Sequence, residues 1–297
     1  MQAIKKKIVE KAFAGARMFH RLGLAQTGPG QFLRATTKKL LFQKSSELST
    51  PHLTLERDGI SIAVPYHLAH RYVFKDFEPQ SRKVFESCLQ PGMTMIDVGA
   101  NIGYHTVYGA RLVGPDQGKV YAFEPGDDNL AYLKKNVHHN KLSNVEIVPC
   151  AAGAARRVRN FYLRKSSNLH SFYADAEAKN IKAIKIQEVP LDEIVKERVD
   201  FVKIDVEGAE MEVLKGMKRI LQSNPDIRLL IEWVPFRAKS SDPFTELPEF
   251  LKQQGFRLIV VNDHEKTSRN LDEVLEGLRA NPPEHSWYAN LYAQRAN

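Results

Sequence analysis

Around Asp58-Gly59 the chain alternates apolar and polar positions on both sides (LTLERDGISIAVP, residues 53–65). That pattern predicts a β-hairpin closed by a tight turn. A helix is expected at 79–89. From residue 94 onward the pattern changes. Apolar runs of strand length alternate with stretches at helical period, which predicts a parallel sheet with crossover helices. Strands are expected at 94–98, 119–123, 145–149, 201–205, 228–232 and 256–261, with a last strand at 286–294. Helices are expected at 104–112, 128–140, 209–221 and 244–253. After the third core strand no crossover helix is visible between residues 156 and 189. The alternating stretches VRNFYLR and IKAIKIQEVP predict extra strands and a loop there instead.

Ahead of the hairpin, Ile4, Ile8, Val9, Ala12, Phe13, Ala16, Phe19 and Leu22 recur at helical spacing opposite basic positions. Gly23 and TGPG (residues 27–30) break that helix, and a second is expected at about 31–44. The organisation read from the sequence is a basic helical arm over 1–50, a hairpin and entry helix over 51–92, and an α/β domain over 93–297.

Charge sharpens this division. The net charge is +8. Residues 1–50 hold ten Lys/Arg and two acids, and the remaining 33 bases and 33 acids cancel. A basic amphipathic arm can lie on anionic lipid, touch nucleic acid, or pack on its own domain. The neutral body lacks a long phosphate track, so a nucleic-acid partner is not expected. No apolar run reaches 18 residues, so no membrane span is expected. Cys88 and Cys150 form neither a disulfide framework nor a metal spacing, and both are expected as buried thiols of a reducing cytosol.

The candidate chemistry starts at MTMIDVGANIGYHT (residues 93–106). A strand ends at a glycine turn that opens a helix, a topology that holds a cofactor at the carboxyl end of a parallel sheet. Gly99 permits close backbone approach and Gly103 lets the helix pack. A dinucleotide fingerprint would place a third glycine where Asn101 stands. Asn tolerates positive φ, so the turn survives, but the tight pyrophosphate contact is lost. Glu124 ends the next strand in KVYAFEP, where an acid can accept both hydroxyls of a ribose. Asp97 lies near the turn, where it could take an ammonium. Together these describe a pocket for S-adenosylmethionine. A third motif, VDFVKIDVEGAEMEVLKG (residues 199–216), puts Asp205 at a strand tip, with Glu207 as a helix cap or a crevice acid.

The segments IDVGANIGYHT, VYAFEP, VEIVPCAAG, VPLDEI and the third motif resemble, in order and spacing, the FkbM-type S-adenosylmethionine-dependent methyltransferases. FEP (residues 77–79) is similar to their entry segment. The resemblance implies a class I methyltransferase fold, Rossmann-like, with a seven-strand, mostly parallel sheet and helices on both faces. It also implies action on a hydroxyl of a sugar, glycolipid or polyketide-like acceptor. Asp97, Gly99, Ala100, Asn101, Gly103 and Glu124 would hold the cofactor.

Methyl transfer to oxygen needs a base for the hydroxyl proton. Asp205 and Glu232 are expected at neighbouring strand tips, where one could take it. Together they could instead share a divalent metal, but two carboxylates are too few ligands to specify a site, and no metal is assigned. His105 could orient the cofactor, act as base, or only pack a helix. The acceptor is expected to be a small molecule, glycan or lipid-linked compound. The protein is expected in the cytoplasm, with the arm as a possible peripheral contact on the inner face of a membrane. The other readings are an N-methyltransferase acting on protein or nucleic acid, and a non-catalytic S-adenosylmethionine-binding scaffold.

Overall fold

The computed structural model describes residues 52–73, 77–163, 182–235, 244–280 and 287–295, together with Lys11, Gly15 and Met18, which are helical. The remaining arm residues, including those expected as two helices, lie outside the described residues. The chain forms two compact units, Met1–Phe77 and Glu78–Asn297.

In the first unit, β1 (His52–Arg57) and β2 (Ile60–Pro65) form the expected hairpin. Its turn residues Asp58 and Gly59 have φ of 52° and 76°, the backbone that a two-residue hairpin turn requires. A helix that the sequence pattern did not predict follows, α1 (Tyr66–Val73).

The second unit runs α2 (Pro79–Cys88), β3 (Thr94–Val98), α3 (Tyr104–Leu112), β4 (Lys119–Phe123), α4 (Asp127–His139), β5 (Val145–Val148), β6 (Ala151–Ala152), β7 (Arg157–Leu163), β8 (Lys182–Val189), α5 (Leu191–Ile194), β9 (Phe201–Ile204), α6 (Glu210–Lys215), α7 (Lys218–Ser223), β10 (Arg228–Trp233), α8 (Glu246–Gln253), β11 (Phe256–Asn262), β12 (Thr267–Asn270), α9 (Leu271–Ala280) and β13 (Ala289–Arg295). The main sheet has the order β12-β11-β13-β10-β9-β3-β4-β5. β13 runs antiparallel between β10 and β11, while β10, β9, β3, β4 and β5 are mutually parallel. This is the expected Rossmann-like, mostly parallel α/β architecture, with eight strands and not seven. The additional strand, β12, pairs with β11 at the edge. Its sequence TSRN is partly or fully exposed throughout, so it carries no apolar alternation to announce it.

Two further expectations are corrected. The helix expected over 209–221 is two short helices broken at Gly216. A Cβ there would lie 1.9 Å from the Gly153 carbonyl oxygen, so the chain bends where another backbone crosses it. Cys88 is buried as expected, but Cys150 is only partly so, and both are free thiols. The extra strands between 156 and 189 are β7 and β8, paired antiparallel, with β6 beside β8.

One face of the sheet is predominantly apolar. Ile96, Val98, Phe123, Val202, Ile204, Leu229 and Ile231 point there and pack with Val213, Leu214 and Ile220 of α6 and α7. Alternation sends their neighbours to the other face. There Asp97 pairs in register with Lys203, Lys203 with Leu230, and Glu232 with Asn290. Charged side chains of β3, β9 and β10 therefore share this face toward the carboxyl end of the strands. Chain order reverses between β3 and β9, the point at which doubly wound sheets open a crevice.

Candidate active site

The turn after β3 is closed by its own backbone. The N–H groups of Gly99 and Ala100 both donate to the Phe123 carbonyl at 3.0 Å, and that of Gly103 donates to Ala100 at 2.8 Å. Asn101 N–H donates to Glu124 Oε2 at 2.8 Å and Ile102 N–H to Asn101 Oδ1 at 2.8 Å. All five donors have internal acceptors, so the turn has no spare N–H row for a diphosphate. Asn101 has φ of 52°, the expected left-handed backbone.

The two glycines make room for protein. A Cβ on Gly99 would fall 1.8 Å from the Asp205 carbonyl oxygen, and one on Gly103 would fall 2.6 Å from Leu133 Cδ1 of α4. The glycine turn thus brings the β3 tip onto the β9 tip, and α3 onto α4.

Glu124 is 4% exposed. It accepts from Asn101, from Gly126 N–H at 2.9 Å and from Asn129 Nδ2 at 3.2 Å. About one of the four acceptor positions of a carboxylate is left over. Burial pushes its pKa up to about 7 against the pull of these donors. Asp97 is fully buried. It accepts from Thr106 Oγ1 at 2.6 Å through one oxygen, and its Oδ1 has no hydrogen-bond partner among the described residues.

The third motif arrives at the same edge. Asp205 N–H donates to the Val98 carbonyl at 3.0 Å, which locks the strand tip beside the turn. Its side chain accepts from Lys203 Nζ at 3.0 Å. The chain then passes through Glu207, with φ of 57°, and Gly208 before α6 starts at Glu210. Glu207 is therefore not the helix cap. The backbone donors of Val206 and Gly208 are met by Glu210 Oε1, a buried carboxyl pushed up to about 7 by its burial. Asp205, Glu207 and Glu232 each bring an oxygen within 4.8 Å of the others. One Asp205 oxygen already faces the Lys203 ammonium, which supplies the local counter-charge.

Glu232 Oε2 is shut off from solvent with no hydrogen-bond partner among the described residues. Burial, then the negative charges of Asp205 and Glu210, raise its pKa well above the ordinary carboxylate value. His105 is buried against Phe85 of α2, and its Nε2 lies 3.2 Å from Glu78 Oε2.

Sequence reasoning missed Glu78 and Lys203. Glu78 holds a left-handed backbone (φ 44°, ψ 59°) directly before Pro79, a costly place for a non-glycine residue. The signal was an acid ahead of a proline that opens a helix. Lys203 looked like one polar residue in a strand. Its position two residues before Asp205, and so on the same face, was the clue.

The family model described as the methyltransferase FkbM domain matches residues 97–258, more than half of the chain. Methyltransferase 1 of Beauveria bassiana is 28% identical over 147 residues, covering 41% of this chain and 57% of that protein. The hexuronic acid methyltransferase AglP of Haloferax volcanii is 33% identical over 132 residues, covering 43% of this chain and 51% of that protein. The chain thus spans little more than half the length of these relatives. Among solved structures, a methyltransferase FkbM from Methylobacillus flagellatus aligns with a TM-score of 0.45 at 16% identity, covering 77% of this chain and 53% of that one.

Proposed function

The chain belongs to the FkbM methyltransferase family, and from that premise we propose that it moves a methyl group from S-adenosylmethionine to a hydroxyl of a sugar, glycolipid or polyketide-like acceptor. The observation that carries this reading is the buried, unpartnered Oε2 of Glu232 beside Asp205 at the carboxyl edge of the sheet. S-adenosylmethionine supplies a methyl group on a positively charged sulfur, already activated for in-line displacement. The protein's tasks are to align the partners and to take the hydroxyl proton.

Asp97 fits the cofactor's ammonium, because its buried Oδ1 accepts no hydrogen bond among the described residues and the Lys203 ammonium stands off at 3.9 Å. Glu124 keeps one acceptor position for a ribose hydroxyl. Glu232 is the base in this reading. Its carboxylate is a stronger proton acceptor than an ordinary one, whereas Asp205 is engaged by Lys203. Glu78 Oε2 stands 3.2 Å from His105 Nε2 on the α2–α3 side. The relative named as a hexuronic acid methyltransferase supports a sugar acceptor. The test incubates the protein with methyl-labelled S-adenosylmethionine and separated glycan, lipid, protein and RNA fractions. Label is expected in glycan or lipid as a base-stable ether. Label in protein or RNA would replace O-transfer by N-transfer. Binding without any transfer would make the chain a scaffold.

The basic arm extends the proposal to location. Among the described residues no helix is long and apolar enough to cross a membrane. Basic residues near anionic lipid contribute about 1 kcal/mol each, and Ile8, Phe13 and Phe19 would add apolar burial. Deleting residues 1–45 is expected to abolish co-sedimentation with phosphatidylserine vesicles at low salt while S-adenosylmethionine affinity stays unchanged. Loss of thermal stability in the truncated chain would show instead that the arm packs on its own protein.

A further inference from the structure

Lys203 is only 4% exposed. It sits in β9, in register with Asp97 of β3 and Leu230 of β10. Its Nζ lies 3.0 Å from Asp205 Oδ2 and 3.9 Å from Asp97 Oδ1. Burial works against its charge, but Asp205, Asp97 and Glu78 outweigh it and lift the pKa above that of an ordinary lysine. A fixed ammonium therefore stands between an acid at the β3 tip and an acid at the β9 tip. Glu232 of β10, Glu210 of α6 and Glu78 ahead of α2 act on the same region. A buried lysine is expensive unless its partners hold it.

We propose that Lys203 sets how strongly the crevice distinguishes the cationic cofactor from its neutral product. The inference rests on the cofactor assignment made above. S-adenosylmethionine and S-adenosylhomocysteine differ by one methyl group and by the positive charge on sulfur. The acids around the crevice attract that charge, and the charge fades as the methyl group leaves. Uncompensated, they would hold the ground state more tightly than the transition state and so oppose transfer. An ammonium held by Asp205 at 3.0 Å, with Asp97 at 3.9 Å, offsets part of that pull. It does so in a buried region, where a unit charge is poorly screened. Lys203 is thus a specificity-determining residue acting through the field it imposes, with no contact to a reacting atom required.

Calorimetric titration of S-adenosylmethionine and S-adenosylhomocysteine tests this without any acceptor. Lys203→Met is expected to raise the preference for the charged cofactor about tenfold, the order expected for removing one poorly screened unit charge. Lys203→Arg keeps the charge and is expected to keep the wild-type ratio. Asp205→Asn is expected to lower the ratio. If Lys203→Met does not fold, Lys203→Gln carries the same measurement. An unchanged ratio in the charge-removing variant, with both nucleosides still bound, overturns the inference alone. Wild-type protein that bound neither nucleoside would overturn the cofactor assignment as well.

Discussion

Replacing Gly99 by alanine is expected to cost about 4 kcal/mol of stability or more and to abolish cofactor binding. The added Cβ would sit 1.8 Å from the Asp205 carbonyl oxygen and 2.9 Å from its carbon. Those atoms cannot yield easily. The Asp205 N–H is bonded to Val98, and Gly99 N–H is bonded to Phe123, so both backbones are tied into neighbouring strands. The φ of 80° adds the left-handed penalty of a non-glycine residue. For a unit of this size the loss corresponds to roughly 10 °C in Tm. Gly277 of α9 is the control. Nothing lies within 4 Å of a Cβ there, and Gly277→Ala should stabilise by about 0.5–1 kcal/mol through helix propensity. If Gly99→Ala melted like the wild type and only cofactor affinity fell, the glycine would face the ligand and not the β9 tip.

That contrast shows what the sequence did and did not carry. The strand ends at Val98 and Phe123 were legible because apolar runs met turn residues, and the positive φ of Asn101 followed from the non-glycine residue most at ease with it. The partner of Gly99 was not legible, because Asp205 lies about a hundred residues away and the pattern at one strand tip does not name the backbone that crosses it. The same holds for Gly216, whose contact with Gly153 splits a helix that periodicity made continuous. β12 escaped because its exposed residues carry no alternation. Asp205 and Glu232 were placed at neighbouring tips by strand order alone, and the structure brings them together. The electrostatic difference between them was hidden, since it depends on Lys203 engaging one and on burial of the other. Glu78 was missed for a different reason: its left-handed backbone is a conformation, and the only trace of it in the sequence is the proline that follows.

Glu232→Gln is expected to lower turnover by about 10²–10⁴-fold, the range for loss of a positioned base, with S-adenosylmethionine affinity little changed. The amide keeps the shape of the side chain but cannot accept the hydroxyl proton. Because Glu232 is partly buried at the sheet edge, the isosteric change should also leave the fold intact. The pH dependence identifies the group independently. A base must be ionised to work, so kcat/KM falls as pH drops through its pKa. Burial and the charges of Asp205 and Glu210 raise that pKa, so the acid limb should lie well above the ordinary carboxylate range, and the rate should still be climbing where a surface glutamate has fully ionised. In Glu232→Gln that limb should disappear from whatever activity remains. Measurement uses the acceptor identified by label transfer, under saturating cofactor. Undiminished turnover in Glu232→Gln, or an acid limb that survives it, would move the base to Asp205 or to the His105–Glu78 pair. Activity lost on chelation and restored by magnesium would overturn the proton-handling reading itself. In that case the oxygens of Asp205, Glu207 and Glu232, gathered within 4.8 Å, would serve a cation that lowers the hydroxyl pKa in place of a side chain that removes its proton.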